Sequence, residues 1–320
     1  MRVSTAGQTQ AIIARLLNSQ SKLADAQQQV TSGLKVTRMS DDPTAASAIV
    51  RDSTALRGID QYARNAQGVS ASLDAEDSAL QQVNDLLNRA KELGVEVNTA
   101  TATPVARAAA SAEVQQLFKQ AVAVANTKVG NQYVFGGTSS DGRAPFDASS
   151  ATFVPSDPPP PGSAAGTAAT PRYPTGARAV DVGAGGQTLD GPHDGTSVFL
   201  SYTNGAPDPT RGVLPALQQL AAAIGGPDPS QIGTALTAVD DAVSQTQVRV
   251  GELGARQNQT DLVASGLTAL QTSLTQHKSS LQEVDAEQAI TEMLARQTAY
   301  QAAMMASSKV MGLSLTEYLR

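Results

Sequence analysis

The chain has 320 residues, 41% apolar but only 3% aromatic, with no tryptophan, no cysteine and a formal net charge of −6. The missing cysteines exclude disulfides, thiolate nucleophiles and Cys-ligated metal sites, and the acidic balance argues against a nucleic-acid phosphate backbone as partner. Few large rings among much Ala, Leu, Val, Gln, Ser and Thr suit slender helices packed along a seam better than a thick enzyme core.

The opening MRVSTAGQTQ lacks the apolar h-region and cleavage site of a Sec signal peptide. No apolar run is long enough to span a bilayer. The chain is therefore expected either to stay in the cytoplasm or to leave by a route that needs no such signal. Ile13, Leu16, Gln20, Leu23, Gln27, Val30 and Leu34 then recur in three- and four-residue steps, an a/d seam interrupted by two glutamines. Gly33 stands where that helix should end. Asp42-Pro43 reads as a fresh helix start, an Asp oxygen capping backbone N–H groups and Pro at the first helical position. The helix should run through Ile49, Leu56 and Ile59 and continue, with or without a break, into Val69, Leu73, Leu80, Val83, Leu87 and Val97. Gly58, Gly68 and Gly94 are weak points in it, each costing about 1 kcal/mol against alanine. Thr103-Pro104 marks a restart, and Val114, Leu117, Ala121 and Val124 fit a further helix.

At Gly130 the character changes. Residues 130–137 read as a short strand between glycine turns, and 198–202 as another. The proline run at 156–162 reads as a polyproline-like loop, with low-complexity disorder as the alternative over 156–176. Helical character returns at Val213, and Gly225-Gly226-Pro227 interrupts it. Val263, Leu267, Leu270, Leu274, His277, Leu281 and Val284 form a second seam. It changes phase near Asp285 and continues as Met293, Gln297, Tyr300, Met304, Ser307 and Met311. A continuous helix over 263–311 would be ~70 Å long at 1.5 Å per residue.

The expected fold is α+β and mainly α, a long coiled-coil-like helical bundle formed by both chain ends with a small β-rich inserted domain. The segments are 1–40, an N-terminal coiled-coil assembly segment, and 41–130, the N-terminal part of a helical arm. An inserted domain with Pro/Gly loops spans 131–210. The C-terminal part of the arm spans 211–284, and a C-terminal coiled-coil assembly segment spans 285–320. Neither terminal seam can bury its stripe alone, so the two ends should pair and leave further seam surface for neighbouring subunits. The assembly residues so identified are Ile13, Leu16, Leu23, Val30, Leu34, Met293, Tyr300, Met304 and Met311.

Motifs that could carry chemistry have plainer readings. Asp41-Asp42 could be a paired carboxylate, but a helix cap before Pro43 explains it. His193-Asp194 lacks further metal ligands at a suitable spacing, and His277 fits a polar seam position. Gly183-Ala184-Gly185-Gly186 has no following lysine to make a phosphate loop. Asn258-Gln259-Thr260 matches a glycosylation sequon, a weak signal without a Sec leader. No catalytic residue, cofactor site or metal site is assigned. A secreted hydrolase with its site in the middle domain would require polar groups gathered about His193. A cytoplasmic coiled-coil adaptor is a further alternative.

Several runs carry a resemblance. They are Met1-Arg2-Val3-Ser4-Thr5, Val30-Thr31-Ser32-Gly33-Leu34-Lys35-Val36, Ser40-Asp41-Asp42-Pro43 with Ala45-Ala46, and Leu86-Leu87-Asn88-Arg89-Ala90-Lys91-Glu92-Leu93. Tyr133-Val134-Phe135-Gly136-Gly137-Thr138 and Met311-Gly312-Leu313-Ser314-Leu315-Thr316-Glu317-Tyr318-Leu319 complete the set. Together they resemble the flagellin superfamily over both helical arms, roughly 1–145 and 210–320. Flagellins usually place alanine after the paired aspartates, and Pro43 here is similar to the hook-associated branch. The resemblance implies a non-enzymatic structural subunit joining hook to filament in the bacterial flagellum, with flagellin itself as the alternative. It implies type III export without a cleaved signal peptide, and terminal segments that order on assembly. Expected partners are the hook-side junction protein, flagellin, copies of the chain itself and a secretion chaperone before export, with no nucleic acid and no membrane. Arg89, Leu93 and Glu113 also match positions by which an innate immune receptor reads flagellins.

Overall fold

The computed structural model describes residues 5–99, 101–138, 144–146, 176–183, 185–203 and 206–318. Helices α1 (Thr5–Ser32), α2 (Pro43–Val97) and α3 (Pro104–Ala125) precede strands β1 (Lys128–Val129), β2 (Gln132–Tyr133), β3 (Ala179–Gly183) and β4 (Gln187–Asp190). There follow α4 (Gly195–Phe199), β5 (Ser201–Thr203), β6 (Ala206–Asp208), α5 (Val213–Gly225), α6 (Ser230–Gln282) and α7 (Ala286–Tyr318). The order is helical, β-rich, helical, and the strands form three separate antiparallel pairs, β1–β2, β3–β4 and β5–β6. The fold is mainly α with a small β insert, as the periodicities predict.

The chain divides into two units, Met1–Gly58 with Ala269–Arg320, and Ile59–Thr268. In the first, α1 packs along α7. Gly33 ends α1 at φ +69°, its N–H returning to the Gln29 carbonyl at 2.9 Å. Only glycine takes that left-handed position without strain. The 263–311 stretch is not one helix. It breaks after Gln282, and Asp285 caps the restart by accepting from the Glu287 N–H at 3.0 Å. The released backbone is satisfied across the unit. Lys35 N–H donates to the Gln282 carbonyl at 2.7 Å and Val284 N–H to the Gly33 carbonyl at 3.0 Å, about a bridge of Leu34 with Glu283. The phase change in the sequence is thus a chain break, and the two breaks hold each other.

In the second unit the core between the long helices is aliphatic. Leu73, Leu80, Val83 and Leu87 of α2, Leu217, Leu220 and Ile224 of α5, and Ile232 and Val239 of α6 are all essentially inaccessible to solvent. α3 packs on α5, tied by the Ser111 hydroxyl to the Ala221 carbonyl at 2.8 Å. α3 starts as α2 does, with a polar cap and proline: Thr103 Oγ1 accepts from the Ala106 N–H at 3.2 Å. Gly94 is a point of close approach, because a Cβ there would lie 2.6 Å from Leu236 Cδ2.

The strand expectations are corrected. Over 130–137 only Gln132 and Tyr133 pair, while Val134 and Phe135 turn into the core. Over 198–202 the chain first completes α4, because the Asp194 carboxylate caps it through the Ser197 N–H at 2.6 Å, and β5 begins only at Ser201. Three of the few rings gather here. Phe135 and Phe146 meet Phe199 edge-on with centroids 4.9 and 5.4 Å apart, an arrangement that ring quadrupoles favour. The proline run at 156–162 lies outside the described residues.

Candidate assembly surface

The α1–α7 pair forms the leading candidate. On α1, Ile12, Leu16, Ser19, Leu23, Ala26 and Val30 are shielded, and on α7, Ala289, Met293, Arg296, Tyr300, Ala303 and Ser307. Both sets advance in alternating steps of four and three, the spacing of a coiled-coil seam. Of the residues singled out in the sequence, Leu16, Leu23, Val30, Leu34, Met293 and Tyr300 are shielded to this degree. Ile13 and Met304 are not; they stand beside the seam, 45% and 48% exposed. Gln20, Gln27 and Gln297 also stand outside it. Met311's side chain falls outside the described set.

Sequence reasoning missed Ile12, Ser19, Ala26, Ala289, Arg296 and Ala303. Their small or polar character hid the alternative phase; adjacent Ile12 and Ile13 fit either one. The consequence is a second, uncovered stripe. Leu17 is exposed with Ile13 on α1, and Ile290, Leu294 and Met305 join Met304 on α7. Isolated exposed apolar residues are ordinary, whereas a stripe repeating along paired helices is a candidate protein-binding face.

The groups that could carry chemistry are occupied. Asp42 Oδ1 accepts from the Thr44 and Ala45 N–H groups, both at 2.9 Å, and caps α2 ahead of Pro43. Asp41 Oδ2 accepts from the Arg38 N–H at 2.8 Å, and from the Thr37 N–H and hydroxyl at 3.1 Å each. The backbone donors of Arg38, then Thr37, hold its carboxyl below the ordinary range. The paired aspartates therefore pin a turn, each on different N–H groups.

His193 does lie in a polar cluster. Its Nδ1 is 2.7 Å from Glu76 Oε1 and its Nε2 3.0 Å from Glu252 Oε2, with His193 and Glu76 both buried. Arg249 Nη1 closes the network on Glu252 at 2.6 Å. Polar groups gathered about His193 are what a hydrolase required, but among the described residues no nucleophile is set against the ring. Both ring nitrogens face carboxylates, and the Ser197 hydroxyl donates to the Asp194 carbonyl instead. The cluster joins α2, the loop before α4 and α6. No group of three or more residues able to hold a metal is found among the described residues. His277 Nδ1 lies 2.7 Å from Asp52 Oδ2, tying α6 to α2 within the first unit. Arg89 forks onto Glu113 Oε1 from Nε and Nη2 at 2.9 and 2.8 Å, and Leu93 is buried. Of the three residues matching receptor-read positions, one is thus core and two are paired with each other.

Residues 3–140 match the bacterial flagellin N-terminal helical region, and residues 236–319 the bacterial flagellin C-terminal helical region. Together these span more than half of the chain, at its two ends. The chain belongs to the bacterial flagellin family. Within that family it is 27% identical over 332 aligned positions to flagellar hook-associated protein 3 of Escherichia coli K12, covering 98% of each. Against a flagellin of Halalkalibacterium halodurans it is 29% identical, but over only 32% of this chain and 38% of the other. Among solved structures, Bacillus cereus FlgL aligns with 72% of this chain and 99% of its own, at a TM-score of 0.54 and 20% identity. This likeness shows a shared fold. The flagellin-family regions include the whole α1–α7 pair, so the candidate surface lies in the part common to the family.

Proposed function

We propose that this flagellin-family chain is a structural subunit of the bacterial flagellum, one that joins hook to filament through its terminal helices. The observation that carries the reading is the uncovered apolar stripe beside the α1–α7 seam. A helix pair that buries one stripe and exposes another is half of a larger bundle, and the second stripe is covered when subunits pack. Segments 1–40 and 285–320 are the assembly segments on this reading. The partners are copies of the chain, the hook-side junction protein and flagellin, with a secretion chaperone beforehand.

The junction role is favoured over that of bulk filament subunit by length of match. The alignment with the hook-associated relative spans nearly the whole chain, including the middle, whereas the flagellin alignment spans about a third. Pro43 and the Tyr133-Val134-Phe135-Gly136-Gly137 run favour the same branch. A non-enzymatic role is supported by the saturated His193 cluster. Location on the flagellum, outside the cell, follows from the role; no helix among the described residues is long and apolar enough to cross a membrane.

Immunogold labelling of sheared flagella tests the reading. Label confined to a band where hook meets filament is expected. Label along the whole filament would make the chain a flagellin, and label found only in the lysate would favour an intracellular adaptor.

A further inference from the structure

A cavity of about 280 Å³ opens on α2 at Gly68, facing the β1–β2 and β3–β4 hairpins. Among the described residues its lining carries two cations, Arg64 and Arg178, and no carboxylate. That reverses the sign of a chain with 29 acidic and 23 basic residues. Neither guanidinium is neutralised by its hydrogen bonds. Arg64 Nη2 donates to Gln61 Oε1 at 2.8 Å, and Arg178 Nη1 donates to Gln132 Oε1, both uncharged amides. A further cation stands close by, with Lys128 Nζ 4.3 Å from the centroid of the Tyr133 ring that lines the wall. Val69, Val134 and Val180 supply apolar lining between the charges.

Gly68 shares its open surroundings with Gly233, Gly251, Gly254 and Gly266 of α6, but of these it alone lines the cavity. It lies in the interior of α2, where glycine costs about 1 kcal/mol against alanine. Packing does not require it, because a Cβ there would meet nothing within 4 Å. Gly94, in the same helix, does have such a reason. The bare backbone at Gly68 leaves the cavity floor open.

We propose that this cavity binds a carboxylate carried on a short apolar stem. The guanidinium groups receive the charge in forked, charge-assisted hydrogen bonds, and the valines receive the stem. The carboxylate is an acidic side chain of a second copy of this chain or a free small dicarboxylate.

Glutarate, with the chemistry of a glutamate side chain, is the probe. Titrated into the ¹⁵N-labelled full chain, it should shift the Nε–Hε signals of Arg64 and Arg178 on one saturable curve, and uncharged glutaramide should not. Gly68→Leu fills the floor and weakens binding by about tenfold or more, the effect of losing about 1.4 kcal/mol. Gly68→Ala keeps binding and melts no lower than wild type, which separates blocking from misfolding. Sedimentation identifies the source. Self-association reversed by glutarate and absent in Gly68→Leu assigns the second copy, whereas a monomer that still saturates with glutarate assigns a free dicarboxylate. The proposal is overturned by the absence of a saturable shift, by an equal response to glutaramide, or by undiminished binding in folded Gly68→Leu. None of these readouts involves flagella, so their failure leaves the junction role standing.

Discussion

Charged residues in this chain act as ties between elements. Glu252 illustrates the balance. Burial pushes its carboxyl upward, but the hydrogen bond and charge of Arg249, with His193 behind them, outweigh burial and hold it below its ordinary 4.5. A carboxylate depressed in the folded state binds protons more readily when unfolded. It therefore adds stability above its unfolded value, and that stability is lost as pH falls through the lower folded value. The second unit should accordingly lose stability as pH drops below about 4.5. In Glu252→Gln the fall in melting temperature over that range should be shallower than in wild type. Parallel curves for the two proteins would remove Glu252 from the account. Asp41 and Asp42 tie backbone in the same spirit, holding the turn that separates α1 from α2.

The terminal helices contrast with the arms. The α1–α7 seam includes Ser19, Ala26, Ala289, Ala303 and Ser307, side chains that bury little apolar area, and hydrophobic stabilisation scales with that area. The second unit buries leucines and isoleucines instead. Pairing of α1 with α7 should therefore be marginal until a neighbour covers Ile13, Leu17, Ile290, Leu294 and Met304. In the free chain, amides of α1 and α7 should exchange about tenfold or more faster than those of α5 and of α2 beyond Ile59, and should slow on assembly. Equal protection in the free chain would contradict this. The helices themselves were legible in the sequence because their caps are local: Asp42-Pro43, Thr103-Pro104 and Gly33 each carry the signal within a few residues. The seam phase was not, because Ile12 and Ile13 serve equally well and only the partner decides between them. The β pairs were hidden for a similar reason. Strands of two to five residues are too short to show alternation, and α4 formed where Asp194 could cap it.

At the scale of the whole molecule, a leucine-rich helical unit contrasts with a terminal helix pair that buries small side chains and leaves an apolar flank exposed. The resemblance legible in the terminal motifs agrees with the family match at both ends. The His193 cluster was not foreseen, since Glu76, His193 and Glu252 are brought together only by the fold. The central claim is that the chain links hook to filament. It is tested most directly by deleting its gene in the source strain and imaging the cells by electron microscopy, with flagellin assayed in the medium. The account predicts hooks without filaments and unpolymerised flagellin released, with both defects reversed by restoring the wild-type chain. Normal filaments on the deletion strain would contradict it.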